Sequence, residues 1–515
     1  MAQSHRAQSQ LPRRDLLRLA GLALPALALS GCGGASASGV GSVLRVAQTQ
    51  DPKTLDPHKQ GDIYSMNVLI NMFDTLTTRS PDNQLVPGLA LSWESPNPLT
   101  WRFRLRPGVR FHNGEPCDAK AVAFSINRLL NPATKSPIVE LRYVTKATPV
   151  DDLTVDLHTS QPDPIIPAKV SLFGGVVVPP GYLQQVGDAE FARKPVGTGP
   201  FTFVDFKRDN QLRMRANPGH WRGAPAYAEL VFLPMADASS ALASLQSNEV
   251  DIVSGLSPDA ALQITGYRGI SIRSYPGIRM WYLSLDTTDG PLADVRVRQA
   301  LNHAMDVPLL IKAVLDGKAR ELPTMIPRES FGFDPAITPY TRDVGLARRL
   351  LAEAGYPNGF DTTITASNAD ANTVEAISGL LAKAGVRAKV NLLESGTYTS
   401  RLTSNNRRAL GPIYFAGSTG WTLDGQSLVQ SNVRRDRRQS RWTSDEADRL
   451  IDAEELTIPP DGRQQAFTRL QQLLKQEAPF VFLYQSDNIY AYNSRVQWQP
   501  GVVGTLAMAS ATVTT

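Results

Sequence analysis

Strand-like and helix-like segments alternate along this chain without a repeat period, and this alternation limits the possible folds most. From Trp101 to Leu105, apolar residues alternate with arginines, the period of a strand that buries one face. Asp118 precedes an amphipathic run over 119–130, which predicts a capped helix ending before Pro132. Strands interspersed with helices indicate an α/β fold with mixed sheets. Further helices are predicted at 295–305, 346–354 and 463–477, and further strands at 230–233, 250–253, 280–285, 362–365, 388–393 and 480–484.

The N-terminal residues predict a removable export signal over 1–31. Arg13 and Arg14 form a twin-arginine region, and residues 16–29 form an apolar stretch of about 14 residues interrupted by Arg18. A membrane-spanning helix needs roughly 20 apolar residues, so a signal fits this stretch better than a transmembrane anchor. A disordered basic tail is the alternative interpretation.

Cys32 is the predicted lipid-attachment residue. The small residues that a lipoprotein signal peptidase requires stand immediately before it, at Ser30 and Gly31. Residues 32–40 are rich in glycine, serine and alanine and predict a flexible tether. We therefore expect an acylated mature protein in the periplasm or cell envelope, held to a membrane outside the cytoplasm.

Composition excludes several classes of function. Without residues 1–31, the formal charge of +5 falls to about +2, which does not call for nucleic acid as a partner. Cys117 is the one cysteine after Cys32, so neither an internal disulfide nor a multi-thiolate metal site is expected. We found no pair of histidines spaced as metal ligands, no Walker phosphate loop and no His-Glu-x-x-His motif. The sequence therefore predicts no metal, no cofactor, no catalytic residue and no enzymatic activity.

Several segments, in a fixed order, resemble the family 5 extracellular solute-binding proteins of ABC importers, which bind dipeptides, oligopeptides, nickel or opines. The resemblance covers nearly all of the chain after the export signal. The matching segments are 55–57 (LDP), 85–90, 100–113 (TWRFRLRPGVRFHN), 118–129, 195–201 (PVGTGPF), 246–252 (QSNEVDI) and 294–306 (DVRVRQALNHAMD).

The resemblance implies a type II periplasmic-binding-protein fold, a bilobal flytrap with an extra small α+β domain. Lobe I would comprise 41–84, 195–282 and 488–515. The extra domain would comprise 85–194, and lobe II 283–487. Two lobes joined by crossing strands can close about a ligand in the cleft between them.

The resemblance also implies candidate ligand-binding residues. A Gly-Trp pair in the peptide binders opens a loop whose aspartate holds the α-amino group of the ligand, and here Gly420 and Trp421 match that pair. Asp424 is then the candidate carboxylate. The alternative is a turn aspartate beside a core tryptophan. The aromatic candidates on cleft-lining segments, each of which could instead pack in the core, are Tyr64, Trp281, Tyr414, Trp421 and Tyr484.

Two charged segments have less specific interpretations. The arginine-rich run 434–438, followed by Arg441, could attract an anionic solute or dock a permease, or could be a solvated loop. Glu454 and Glu455 are adjacent in a helix-like stretch and are predicted to face solvent.

The sequence thus predicts a monomeric, lipid-anchored solute-binding protein that delivers a small solute to an ABC permease in the inner membrane. The solute would be a peptide or peptide-like molecule, with amine- or sugar-containing solutes as further options. A periplasmic chaperone or sensor on the same fold is the alternative. A secreted hydrolase would need a reactive pair that the sequence does not present.

Overall fold

The computed structural model describes residues 42–437 and 439–514. The export signal, Cys32 and the tether at 32–40 lie outside the described residues. The strands are β1 (Val43–Gln48), β2 (Thr77–Arg79), β3 (Leu85–Pro87), β4 (Ala90–Asn97), β5 (Thr100–Leu105), β6 (Val144–Asp151), β7 (Thr154–Thr159), β8 (Phe201–Lys207), β9 (Gln211–Ala216), β10 (Glu229–Pro234), β11 (Ile252–Ser254), β12 (Ile270–Leu285), β13 (Ala319–Glu321), β14 (Phe360–Ser367), β15 (Val386–Leu393), β16 (Ile413–Thr419), β17 (Phe480–Asn493), β18 (Val496–Gln497) and β19 (Thr512–Val513).

The helices alternate with these strands, as the sequence predicts. They are α1 (Ile63–Leu69), α2 (Ala119–Leu130), α3 (Ile166–Lys169), α4 (Pro180–Phe191), α5 (Ala238–Gln246), α6 (Pro258–Leu262), α7 (Val295–Ala304), α8 (Val307–Val314), α9 (Val344–Glu353), α10 (Ala371–Ala382), α11 (Ser395–Leu402), α12 (Gly425–Asn432), α13 (Asp445–Leu456) and α14 (Pro460–Glu477).

The largest sheet in the described part of the chain is mixed, which confirms the predicted α/β class. Its strand order is β15-β14-β16-β12-β17-β11-β1-β10-β9-β8, with β13 added against β17. The β1–β10, β1–β11, β14–β15 and β14–β16 pairs are parallel, and the other pairs are antiparallel. The long antiparallel strands β12 and β17 lie at the centre, so both halves of the sheet are built on them.

Separate apolar cores cover the two halves of this sheet. One core packs α7, α9 and α10 against β12, β14 and β16, with Leu301 and Ile377 fully buried. The other lies over β1, β8, β9 and β10, with Phe201 and Leu230 fully buried. Two cores joined by continuous strands make a molecule of two halves, and the junction runs along β12 and β17.

A second, four-stranded antiparallel sheet has the order β4-β5-β7-β6 and packs against α2. The predicted alternation is present in β5, where Trp101, Phe103 and Leu105 are buried. Asp118 caps α2 by accepting a hydrogen bond from the backbone N–H of Ala121 at 2.9 Å, as predicted. This sheet lies within the range 85–194 that we predicted as an extra domain, although the domain boundaries stay a prediction.

Some elements extend beyond their predicted ends. The strands predicted at 280–285 and 480–484 begin or end about ten residues further out, as β12 and β17. Polar residues such as Ser486 and Asp487 interrupt the apolar run of β17. The backbone pairing with β12 continues past them, because a ladder of hydrogen bonds does not depend on side-chain polarity.

Candidate functional site

A cavity of about 730 Å³ lies where β12, β16 and β17 meet α1 and α11. Its volume falls within the roughly 300–1,000 Å³ of typical small-molecule sites. Its wall draws on both halves of the large sheet. The lining residues are Ile63, Tyr64, Asn67, Ser254, Gly255, Leu256, Ile278, Arg279, Trp281, Ser367, Ala369, Asp370, Ser395, Tyr398, Thr399, Leu402, Phe415, Ala416, Gly417, Thr419, Trp421, Asp487, Asn488, Ile489, Tyr490, Val503 and Gly504.

An aromatic stack forms one wall of this cavity. The rings of Trp281 and Phe415 lie parallel, with centroids 5.0 Å apart and an interplanar angle of 13°. The guanidinium of Arg279 lies over the Trp281 ring at 4.5 Å. Residues two apart on a strand share a face, so Arg279 and Trp281 both point into the cavity. Tyr282, the next residue, is buried on the opposite side, as the alternation predicts.

Three charged side chains line the cavity, and none of them has an ion-pair partner among the described residues. Arg279 contacts the tryptophan ring but no carboxylate within 4 Å. Asp370, at the start of α10, makes no side-chain hydrogen bond to cap that helix. Burial raises the pKa of Asp370, and the nearby positive charge of Arg279 opposes that shift. Asp487 accepts a hydrogen bond from the hydroxyl of Ser274 at 2.7 Å, and its other carboxylate oxygen is buried without a partner.

Most uncharged polar groups of the wall are already hydrogen-bonded within the protein. The Tyr398 hydroxyl donates to the Phe415 carbonyl at 2.5 Å, and the Asn67 amide donates to the Gln48 side chain at 3.2 Å. Ser395 and Ser367 bond to each other at 2.8 Å. The groups that remain available to a solute therefore include the three charges.

The structure brings three of the sequence-predicted aromatic residues to the cavity, namely Tyr64, Trp281 and Trp421. Tyr414 and Tyr484 do not line it. Tyr414 is 3% exposed, and its hydroxyl donates to the backbone carbonyl of Gln439 at 3.2 Å. Tyr484 is also 3% exposed and lies behind Trp281, with ring centroids 6.3 Å apart. Both therefore belong to the core of the wall.

Asp424 requires a correction, because it lies outside the cavity wall. Both of its carboxylate oxygens accept hydrogen bonds from the guanidinium of Arg463, at 2.9 and 2.7 Å. One oxygen also caps α12 by accepting from the N–H of Gln426 at 3.0 Å. Asp424 is 4% exposed. A carboxylate that is buried and paired in this way is not placed to hold the amino group of a solute.

The predicted exposure of Glu454 and Glu455 is wrong. They are 0% and 2% exposed. Glu454 accepts a hydrogen bond from Arg463 at 3.1 Å, and Glu455 pairs with Arg142 at 3.3 Å. Burial raises the pKa of Glu454 well above its ordinary value, and the charge of Arg463 opposes that shift. The sequence pattern missed these arginines because they belong to other segments.

The arginine-rich run is largely engaged in ion pairs. Arg434 bonds to Asp452 at 2.6 Å, and Arg435 bonds to Asp448 and Asp445. Arg441 is buried against Asp286 at 2.9 Å. Arg438 lies outside the described residues. Arg434 and Arg435 therefore contribute to the packing of α13, and no described residue of the run lines the cavity.

The described part of the chain gives little support for a metal site, a membrane-spanning helix or a reactive thiol. No group of histidine, cysteine or acidic residues there could hold a metal ion, and no helix there has the length and apolar character needed to cross a membrane. Cys117 is buried, and burial raises the pKa of its thiol.

Sequence reasoning missed Arg279, Asp370 and Asp487. The alternation of β12 could have indicated Arg279, because that residue precedes the candidate Trp281 by two positions. Asp370 and Asp487 carry no comparable signal, since they reach the cavity only through the topology of the large sheet.

Comparison with known proteins gives consistent matches. Residues 84–439 match the family described as bacterial extracellular solute-binding proteins, family 5 Middle. The chain is 29% identical over 375 residues to the glutathione-binding protein GsiB of Pectobacterium atrosepticum, covering 72% of each chain. It is 25% identical over 456 residues to GsiB of Escherichia coli K12, covering 86% of this chain and 89% of that protein.

Solved structures superpose over most of the chain. The periplasmic binding protein DppA of Helicobacter pylori, in complex with the peptide STSA, gives a TM-score of 0.77 at 25% identity. That match covers 92% of this chain and 98% of DppA. The ABC transporter substrate-binding protein CtaP of Listeria monocytogenes gives a TM-score of 0.84 at 21% identity, over 92% of this chain and 99% of CtaP.

Proposed function

We propose a function for this chain, which belongs to the bacterial extracellular solute-binding proteins of family 5. Its cavity captures a small peptide-like zwitterion, and closure of the protein presents this solute to an ABC permease. The expected type II periplasmic-binding-protein fold is confirmed by the comparison structures. The family and these neighbours are binding proteins, and we propose that the solute leaves the cavity chemically unchanged.

The unpaired charges of Arg279 and Asp370 carry this proposal. A guanidinium suits a carboxylate, and a carboxylate suits an ammonium group, because charge-assisted hydrogen bonds are roughly twice as strong as neutral ones. The two residues lie on different elements, β12 and the start of α10, at one cavity wall. A molecule with an ammonium group at one end and a carboxylate at the other could meet both.

The aromatic rings support a solute with an organic backbone. Trp281 and Phe415 offer a stacked apolar surface, and Trp421 and Tyr64 add rings with polar tips. Such walls accommodate the peptide planes and side chains of short peptides. Relatives named for glutathione binding, and a neighbour solved with a bound tetrapeptide, favour the same class of solute.

Calorimetric titration with the dipeptide Ala-Ala tests this proposal. Asp370→Asn and Arg279→Gln should each weaken binding about tenfold or more, since hydrogen bonds to charged groups contribute about 1.5–3 kcal/mol. The matched controls Asp361→Asn and Arg349→Gln change exposed residues outside the cavity and should leave the affinity unchanged. Equal affinity in the cavity variants would remove these two residues from the site.

We also propose that Cys32 carries the lipid that holds the protein to the membrane. Cys32→Ser should release the protein into the soluble periplasmic fraction, whereas Cys117→Ser changes a buried thiol and should leave it with the membranes. Mass spectrometry of the mature N-terminus gives an independent measurement. An unmodified Cys32 at that terminus would contradict the lipid anchor while leaving solute capture intact.

A further inference from the structure

The charges of the cavity wall are not balanced. Two carboxylates, Asp370 and Asp487, line it together with one guanidinium, Arg279. No lysine, histidine or further arginine is among the lining residues. With all three groups ionised, the wall carries one net negative charge.

Asp487 provides the second carboxylate. It lies on β17 beside β12, where it pairs in register with Pro276, three residues before Arg279. No cation lies within 4 Å of its carboxylate among the described residues, although Ser274 donates to one of its oxygens. The other oxygen is buried and has no hydrogen-bond partner there.

This lack of a cation partner distinguishes Asp487, which is half-buried, from the buried carboxylates of the described residues. Asp424 is paired with Arg463, and Asp163 is paired with Lys169 at 2.5 Å. A buried charge without a counter-charge is unfavourable, so groups of this kind normally have one. A counter-charge brought by the solute would satisfy Asp487 in the closed protein.

We infer that the captured solute carries more positive than negative charge, as a short peptide with a lysine, arginine or ornithine side chain does. This inference rests on the proposed function. A simple zwitterion would neutralise Arg279 and one carboxylate and leave the second carboxylate unpaired when water is excluded. A second ammonium or guanidinium group on the solute provides a counter-charge for that carboxylate. The solute carboxylate would then lie at Arg279, and the two cations would lie at Asp370 and Asp487.

The same charges disfavour glutathione. That molecule has two carboxylates and one ammonium group, the reverse of what two carboxylates and one guanidinium require. Although related chains are named for glutathione binding, we expect this cavity to select against it, because like charges across a desolvated contact are repulsive.

A titration panel tests the inference on the full chain. The ligands are Ala-Ala, Ala-Lys, Ala-Glu and glutathione, all at the same pH and ionic strength. We expect Ala-Lys to bind about tenfold or more tightly than Ala-Ala, and Ala-Glu and glutathione to bind more weakly than Ala-Ala.

The variant Asp487→Asn tests whether Asp487 causes the preference for Ala-Lys over Ala-Ala. This variant keeps the size of the side chain and should reduce the preference for Ala-Lys over Ala-Ala. Asp361→Asn, which changes an exposed carboxylate, is the control and should keep the preference. An unchanged preference in Asp487→Asn would overturn the role of Asp487, and if that variant does not fold, the panel on the unmodified protein still decides the charge preference.

The outcomes separate the two proposals. Binding of Ala-Ala or glutathione as tightly as Ala-Lys would overturn the charge preference and leave peptide capture in place. Failure of every member of the panel to bind would overturn the proposed function itself.

Discussion

Arg463 on α14 compensates two buried acidic side chains. Its guanidinium bonds to both oxygens of Asp424 and to Glu454, and all three side chains are at most 6% exposed. Removal of the cation would leave two carboxylates buried without a counter-charge. This cluster explains why Asp424, which the sequence presents as a ligand-binding residue, is a structural residue instead.

Arg463→Met should therefore destabilise the protein by about 3–5 kcal/mol, the usual cost of removing one partner from a buried ion pair. Urea unfolding measures this change. The control is Arg387→Met, because Arg387 pairs with Asp361 on the surface and its loss should cost about 1 kcal/mol or less. Similar losses in the two variants would contradict the role given to Arg463.

The burial of His58 beside Arg128 predicts that the stability of the protein depends on pH. Burial lowers its pKa from 6.5 to about 4, the charge of Asp56 opposes that shift, and Arg128 adds to it. One ring nitrogen lies 3.0 Å from the Val176 carbonyl and the other 2.9 Å from the Arg128 guanidinium. A second ring proton would therefore point at a cation.

The unfolded chain binds a proton on His58 between pH 6.5 and 4, and the folded protein does not. His58 therefore does not reduce the free energy of unfolding above pH 6.5, and it lowers that free energy as the pH drops toward 4, by about 3 kcal/mol in all. Urea unfolding between pH 4 and 7.5 measures this loss. His58→Gln should flatten the pH dependence, and an equally steep dependence in that variant would assign the loss to other groups.

Among the secondary-structure elements, the pairing of β12 with β17 depends on a close backbone approach. The register is irregular between Pro276 and Arg279, and Gly277 lies in that irregular part of β12. A Cβ atom on Gly277 would lie 2.5 Å from the Ser486 carbonyl oxygen, which real Cβ atoms do not approach so closely. Only glycine fits there without separating the two central strands.

Gly277→Ala should lower the free energy of unfolding by about 1–3 kcal/mol, as overpacked substitutions commonly do. Gly379→Ala in the exposed face of α10 is the matched control, since a Cβ atom there meets nothing within 4 Å. It should raise stability by roughly 0.5–1 kcal/mol, because alanine favours a helix over glycine. Thermal unfolding of both variants distinguishes close packing from a general effect of the substitution.

Local signals predicted the elements better than the site. Asp118 caps α2 as its place in the sequence predicts, because such a cap depends on neighbouring residues alone. The aromatic residues Tyr64, Trp281 and Trp421 followed from family resemblance. The burial of Asp424 could not be predicted locally, because its partner Arg463 lies 39 residues away.

Residues next to the strands of the four-stranded sheet contact the segment that carries Trp421. The Trp421 ring packs edge-on against Phe173, with centroids 5.5 Å apart. Arg142 bonds to Gln430 and pairs with Glu455 at 3.3 Å. If the halves of the flytrap separate along β12 and β17, we expect these contacts to break as the cavity opens.

Arg142→Ala should therefore weaken solute binding several-fold although Arg142 does not line the cavity. The substitution removes contacts that favour closure and leaves the solute contacts unchanged, and a ligand that binds the closed form loses affinity when closure becomes less favourable. Titration with Ala-Lys measures the effect. Unchanged affinity would show that these contacts do not take part in closure.

A crystal structure of the protein with bound Ala-Lys tests the central claim most directly. The account predicts the dipeptide inside the cavity, with its carboxylate at Arg279 and its cations at Asp370 and Asp487. A dipeptide bound elsewhere on the molecule, or one whose carboxylate faces either aspartate, would contradict it.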